Sequence, residues 1–131
     1  MSVEAAIWSL ITDDTRFTDL AGTRLYPIRL PQDPVYPCVS YRRVSSQQDV
    51  GHDGSGDFES LRVQFDVYAR GFEAARLLAS TLRTMLNGFR GSVDGVRLWG
   101  VLFLNEFDGW GDAVDVYRIT TDYRVMWQVA E

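Results

Sequence analysis

Ser60-Leu61-Arg62-Val63-Gln64-Phe65-Asp66-Val67-Tyr68 is the stretch that decides the fold. Leu61, Val63, Phe65 and Val67 fall on one side of an extended chain; Arg62, Gln64 and Asp66 fall on the other. Side chains of a strand alternate between faces, so this period of two predicts an antiparallel strand with one face buried and one solvated. Something must cover the buried face, and the next segment supplies it. Phe72, Ala75, Leu78, Ala79, Leu82, Met85 and Leu86 recur at spacings of three and four, which predicts a helix with one apolar stripe. Asn87-Gly88 stops it.

Outward from this pair the signals are weaker. Val3, Ala6, Ile7, Leu10 and Ile11 predict a short N-terminal helix capped by Ser2, and Asp13-Asp14 ends it and opens a second turn through Leu20, closed by Gly22. From Thr23 to Pro37 the chain is extended, because all four prolines, Pro27, Pro31, Pro34 and Pro37, lie there. Cys38–Val44 reads as a strand, and the polar segment Ser45–Asp57 as a long loop. Gly91–Gly95 reads as a turn. Val96–Phe107 reads as a strand, with Leu98, Gly100, Leu102 and Leu104 set against Arg97, Trp99, Val101 and Phe103. Asp108–Asp112 is expected to be a hairpin connection with Trp110 at its tip. In the closing strand Val114–Val129, Tyr117, Ile119, Thr121, Tyr123, Val125 and Trp127 share a face; Val114 and Val116 are out of phase, which places a bulge near Tyr117. The expectation is an α+β domain spanning residues 1–131: an antiparallel sheet of about four strands with one long and one short helix packed on one face.

The 13 basic and 18 acidic side chains leave a net charge of −5, a surface that repels phosphate backbones and disfavours specific nucleic-acid binding. Arg42-Arg43 is the only adjacent basic pair. No apolar run approaches the roughly 20 residues that span a bilayer, and residues 1–4 do not read as the start of a signal peptide. Cys38 is the only cysteine, so no disulfide forms within the chain.

Chemistry-bearing patterns are sparse. His52, the only histidine, sits among Gly, Ser and Asp, a poor platform for a Ser-His-Asp or Cys-His arrangement. Cys38 opens a strand and reads as a small packing residue. Asp49, His52, Asp53 and Asp57 invite a divalent cation, but their spacing departs from an EF-hand loop, and a solvated segment explains them more economically. Gly54-Ser55-Gly56 precedes a strand rather than a helix, which removes the phosphate-cradle reading. Glu106 and Asp108 read as surface carboxylates beside a turn. Trp110, flanked by glycines, is the aromatic residue that cannot reach a core, and its position points to contact with another chain.

Thr23-Arg24-Leu25-Tyr26-Pro27 after a helix, then Tyr36-Pro37-Cys38-Val39-Ser40-Tyr41, then Val63 to Arg70 running into Phe72-Glu73-Ala74-Ala75-Arg76, resemble the tail-completion (tail-terminator) proteins of long-tailed bacteriophages and gene transfer agents. The closing Asp122-Tyr123-Arg124-Val125 fits the same pattern, and the resemblance covers almost the whole chain. It implies a structural subunit, not an enzyme, with no cofactor and no metal. Such a subunit forms a ring, hexameric in the family, that caps the tail tube, stops its polymerisation and offers a surface for head–tail joining. The implied partners are further copies of itself, the tail tube protein and the head–tail connector, first in the host bacterial cytoplasm and then in the virion. Another neck component, such as a head–tail adaptor, is the alternative; a small metal- or ligand-binding domain using residues 47–57 is the more distant one. The residues expected to make contacts are Gln47, Gln48, Asp49, His52, Asp53 and Asp57 of the polar segment, Arg29 and Tyr36 of the proline-rich arm, and Trp110.

Overall fold

A computed structural model describes residues 2–50, 57–111 and 115–129. The elements are α1 (Val3–Thr12), α2 (Thr15–Ala21), β1 (Leu25–Pro27), β2 (Cys38–Val50), β3 (Asp57–Ala69), α3 (Phe72–Leu86), β4 (Gly91–Val93), β5 (Val96–Trp110) and β6 (Tyr117–Val129). The strands form one sheet in the order β1-β2-β3-β6-β5-β4. Every pairing is antiparallel except that of β1 with β2.

The alternating stretch behaves as its pattern requires. Leu61, Val63, Phe65 and Val67 are buried and face the helices, with Ile119, Tyr123 and Val125 of the neighbouring β6 beside them. From α3 the stripe Ala75, Leu78, Ala79, Leu82, Met85 and Leu86 closes over them. A row of aromatic rings crosses the buried face: Tyr41 to Phe65 at 6.3 Å, Phe65 to Tyr123 edge-on at 5.6 Å, and Tyr123 to Phe103 edge-on at 5.7 Å. The Arg83 guanidinium closes the row 3.8 Å above the Phe103 ring. Phe72 opens the α3 stripe but packs edge-on against the half-exposed Tyr117 rather than inside the core.

The caps form as expected. The Ser2 hydroxyl accepts from the Ala5 amide at 3.0 Å, and the Asp14 carboxylate accepts from Arg16 N at 2.9 Å. These caps divide the N-terminal region into α1 and α2, of ten and seven residues, beside the fifteen-residue α3. The molecule therefore has three helices among the described residues, not one long and one short.

Several expectations are corrected. The sheet has six strands rather than about four, because β1 and β4, three residues each, are too short to announce themselves. β1 lies at an edge, where Pro27 deprives no neighbour of a hydrogen bond. The Gly91–Gly95 turn is β4 plus a two-residue hairpin at Asp94-Gly95, both with positive φ (50° and 79°), the conformation that matches strand twist. The phase of β5 changes at two bulges, between Leu98 and Gly100 and between Phe103 and Asn105, so Val101 turns to the core while Leu102 and Leu104 turn to solvent. The irregularities lie in β5, and in β2 between Arg43 and Ser45, whereas β6 runs without one from Tyr117.

Phe65 touches both neighbouring aromatic rings at the centre of the buried face. Phe65→Ala is expected to lower unfolding free energy by about 3–5 kcal/mol, the usual effect of emptying an aromatic site. Trp110→Ala, at an exposed position, is expected to change it by no more than about 0.5 kcal/mol. Urea unfolding of the two variants checks the contrast, and equal losses would contradict this description of the core.

Candidate assembly surfaces

With the helices sealing one face, contact surfaces are left on the open face of the sheet, at its two margins and at the strand ends. The proline-rich arm starts at one margin. The Arg29 amide donates to the Pro27 carbonyl at 2.8 Å, with Ile28 between them at φ 70°. This is a γ-turn of the strained hand, and Ile28 is a β-branched residue held at positive φ. Its amide is fixed by a 2.7 Å bond to the Tyr41 carbonyl, while its side chain stands 75% exposed. Arg24 Nε donates to the Pro37 carbonyl at 2.9 Å, tying the two ends of the arm together. Between arm and open face runs a groove of about 590 Å³, lined by Arg29, Tyr36, Arg42, Asp66, Tyr68 and Gly111 among others. The Tyr36 ring lies 5.0 Å from the Arg70 guanidinium, which in turn holds the Asp115 carboxylate at 2.7 Å and 2.8 Å.

At the other margin β5 carries the exposed apolar residues Leu102, Phe107 and Trp110. Trp110 is 79% exposed. It is the last residue of β5, paired with Tyr117, and not the tip of a turn. Both flanking glycines have a reason. A Cβ at Gly111 would meet Val116 Cγ1 at 2.9 Å, and one at Gly109 would meet the Arg118 guanidinium at 3.2 Å. Removing both Cβ atoms lets Val116 and Arg118 close against the backbone, which leaves the indole projecting outward.

The residues expected to make contacts separate into two groups. Arg29 and Tyr36 line the groove that reaches Gly111, so the arm and the C-terminal end of β5 meet at one end of the sheet. Gln47, Gln48 and Asp49 are not in a loop: they pair with Ser60, Glu59 and Phe58, and Asp57 pairs with Val50. This stretch extends the β2–β3 ribbon at the opposite end of the sheet from Trp110. His52 and Asp53 lie outside the described residues. Sequence reasoning missed Ile28, whose importance is conformational, and the Arg62–Asp122 pair, whose members are 60 positions apart.

That pair is the polar centre of the open face. Arg62 Nη2 donates to Asp122 Oδ2 at 2.5 Å, and the Asp122 side chain is only 3% exposed. Alongside, the Thr120 hydroxyl donates to Asp66 Oδ1 at 2.6 Å. These bonds leave Arg62 Nε and Asp122 Oδ1 buried without a partner, and among the described residues no three His, Cys, Asp or Glu side chains gather as metal ligands do. No helix of the described residues is long and apolar enough to cross a membrane. Cys38 is buried, and burial pushes its thiol up to about 11, the opposite of nucleophile activation.

A family model described as "Tail completion protein gp17" matches residues 5–128. No curated protein sequence matches. Among solved structures, a chain of one described as "Virion of native gene transfer agent (GTA) particle" superposes with a TM-score of 0.74. The alignment covers 96% of this chain and 94% of that one at 21% identity, a likeness of fold.

The buried ionisable groups predict how stability responds to alkali. Burial raises Cys38 from its ordinary 9.0 to about 11, and it raises Tyr41, Tyr68 and Tyr123 above the usual phenol range. For each of these groups the unfolded chain loses its proton first, so the stabilisation is whole below the unfolded value and is lost as pH rises through the folded one. Unfolding free energy should begin to fall above pH 9.0 as Cys38 of the unfolded chain ionises, and keep falling past about 11 as the tyrosines follow. Iodoacetamide at pH 8 should label Cys38 only after denaturant is added; rapid labelling of the native chain would refute the buried, protonated thiol.

Proposed function

The chain belongs to the tail completion protein gp17 family, and on that premise we propose that it is a structural tail subunit of a bacteriophage or gene-transfer-agent particle that closes as a ring on the last layer of the tail tube. The observation that carries the reading is the span of the family match, residues 5–128, which takes in α2, α3, all but the first two residues of α1 and nearly all of the sheet. The virion particle whose chain shares this fold over nearly its whole length supports it.

On this reading the ring has six copies, halts tube polymerisation and presents the surface to which the head connector binds. A contact repeated head to tail generates either a filament or a closed ring, and a terminator has to be the ring. It must also fit the tube on one side while refusing another tube subunit on the other. The work is done by packing, not turnover, in keeping with a thiol that burial holds protonated. The chain is made in the host cytoplasm and ends in the tail of the particle.

Electron microscopy of particles produced without this chain tests the proposal. Tails of uncontrolled length, returned to uniform length by the wild-type chain supplied in trans, are expected. Uniform tails that fail to join heads would favour a head–tail adaptor instead. Normal particles assembling without the chain would reject both roles.

A further inference from the structure

The sheet is incomplete at both margins, and the two gaps are complementary. On one margin β4 covers only Val96–Leu98, the Gly88 and Phe89 backbone meets Val101, and Asn87 Oδ1 accepts from the Phe103 amide. From Asn105 to Trp110, β5 has no main-chain partner on that side among the described residues. On the other margin β1 covers Val39–Tyr41, and the γ-turn at Ile28 then lifts the chain away. From Arg43 onward β2 has no main-chain partner on that side among the described residues. Each gap leaves alternate N–H and C=O groups aimed outward, a template for another strand.

Their direction and side chains fit each other. Three successive antiparallel pairings separate β2 from β5, so the two strands run in opposite senses. The free end of β5 in one copy, laid beside the free part of β2 in the next, therefore continues the sheet as an antiparallel ladder. Glu106 and Asp108 pair with the buried Thr121 and Ile119, which puts them on the helix-covered face; Arg43 pairs with the buried Val63 and lies on the same face. If Asp108 stands opposite Arg43, the ladder ends there and Trp110 comes against the end of β1, where Pro27 already pairs with Tyr41. There a notch of about 370 Å³ is lined by Pro27, Ile28, Tyr41, Arg42, Arg43 and Glu4. Among the described residues no ion pair involves Glu106 or Asp108, and Arg43 has only a 3.6 Å contact with Glu4. Among the described residues Trp110 and Ile28 are the two most exposed large apolar side chains, one on each margin.

We propose that neighbouring copies join by strand addition, the Asn105–Trp110 edge of β5 docking antiparallel on the Arg43 edge of β2 of the next copy, with the indole of Trp110 seated in the Pro27–Ile28–Tyr41 notch and Asp108 paired with Arg43. This deepens the ring reading and rests on it. A second copy is the occupant because one chain carries both halves of the contact, acidic on β5 and basic on β2. The contact is heterologous, as ring closure requires.

Charge reversal in assembled particles tests the pairing. Asp108→Arg alone and Arg43→Asp alone should each lower ring occupancy on tails at least tenfold. The double variant should restore it, and so should co-expression of the two single-variant chains, since an alternating ring brings opposite charges together at every contact. Trp110→Ala, which keeps the charges, should lower occupancy by a similar factor. Rings that tolerate both single reversals would overturn this interface and leave the ring reading standing, as would single reversals that neither combination rescues. Tails on which the wild-type chain forms no ring would overturn both.

Discussion

The burial of one sheet face beneath α3 is the constraint on which the rest of the molecule depends. Phe65 sits between Tyr41 and Tyr123, with Val63 and Val67 on either side of it along the strand. A slip of one residue in β3 would turn all of them to solvent, so the register of β2, β3 and β6 is fixed by what α3 covers. Once those strands are fixed, so are the positions of both margins and both ends. The core thereby sets where the side chains of the margins and ends stand.

That dependence explains how much was legible in the sequence. Hydrophobic periodicity reports burial, and wherever a strand or helix lies against the core, as in β3 and α3, the pattern names it. Pairing without burial is silent. Ser45 and Ser46 are exposed although they pair with Arg62 and Leu61, so this part of the β2–β3 ribbon has the composition of a loop. In β5 the bulges reverse the phase twice, and a reading that assumes strict alternation puts Leu102 inside and Val101 outside. Trp110 could be singled out because its flanking glycines and size are local facts. The notch around Ile28 could not, because it joins residues from β1 and β2 through a backbone turn that no side-chain pattern encodes.

Free sheet edges carry a hazard of indiscriminate pairing, and this chain limits it in ways that bear on assembly. The prolines of the arm, the bulge at Arg43–Ser45 and the carboxylates Glu106 and Asp108 all discourage a flat, apolar strand from adding at random. Two acidic β5 edges repel each other, as do two basic β2 edges. Under the proposed strand addition, the devices that would keep copies apart in the wrong orientation are the ones that would favour β5 on β2.

The strain at Ile28 fits this division of labour. Continuing β1 beyond Pro27 would cover the part of β2 beyond Tyr41 and fill the margin from within the same chain. The γ-turn instead holds a β-branched residue at positive φ, a conformation that persists only where its surroundings enforce it. Here the 2.7 Å bond to Tyr41 enforces it, and the chain leaves the sheet at the point where the Arg43 edge begins. A more relaxed arm would leave a monomer with a completed margin and nowhere for a neighbour to add. The backbone cost is local, whereas under the proposed strand addition the open edge would serve every contact between copies, and on that proposal the strained residue is intelligible as part of an interface.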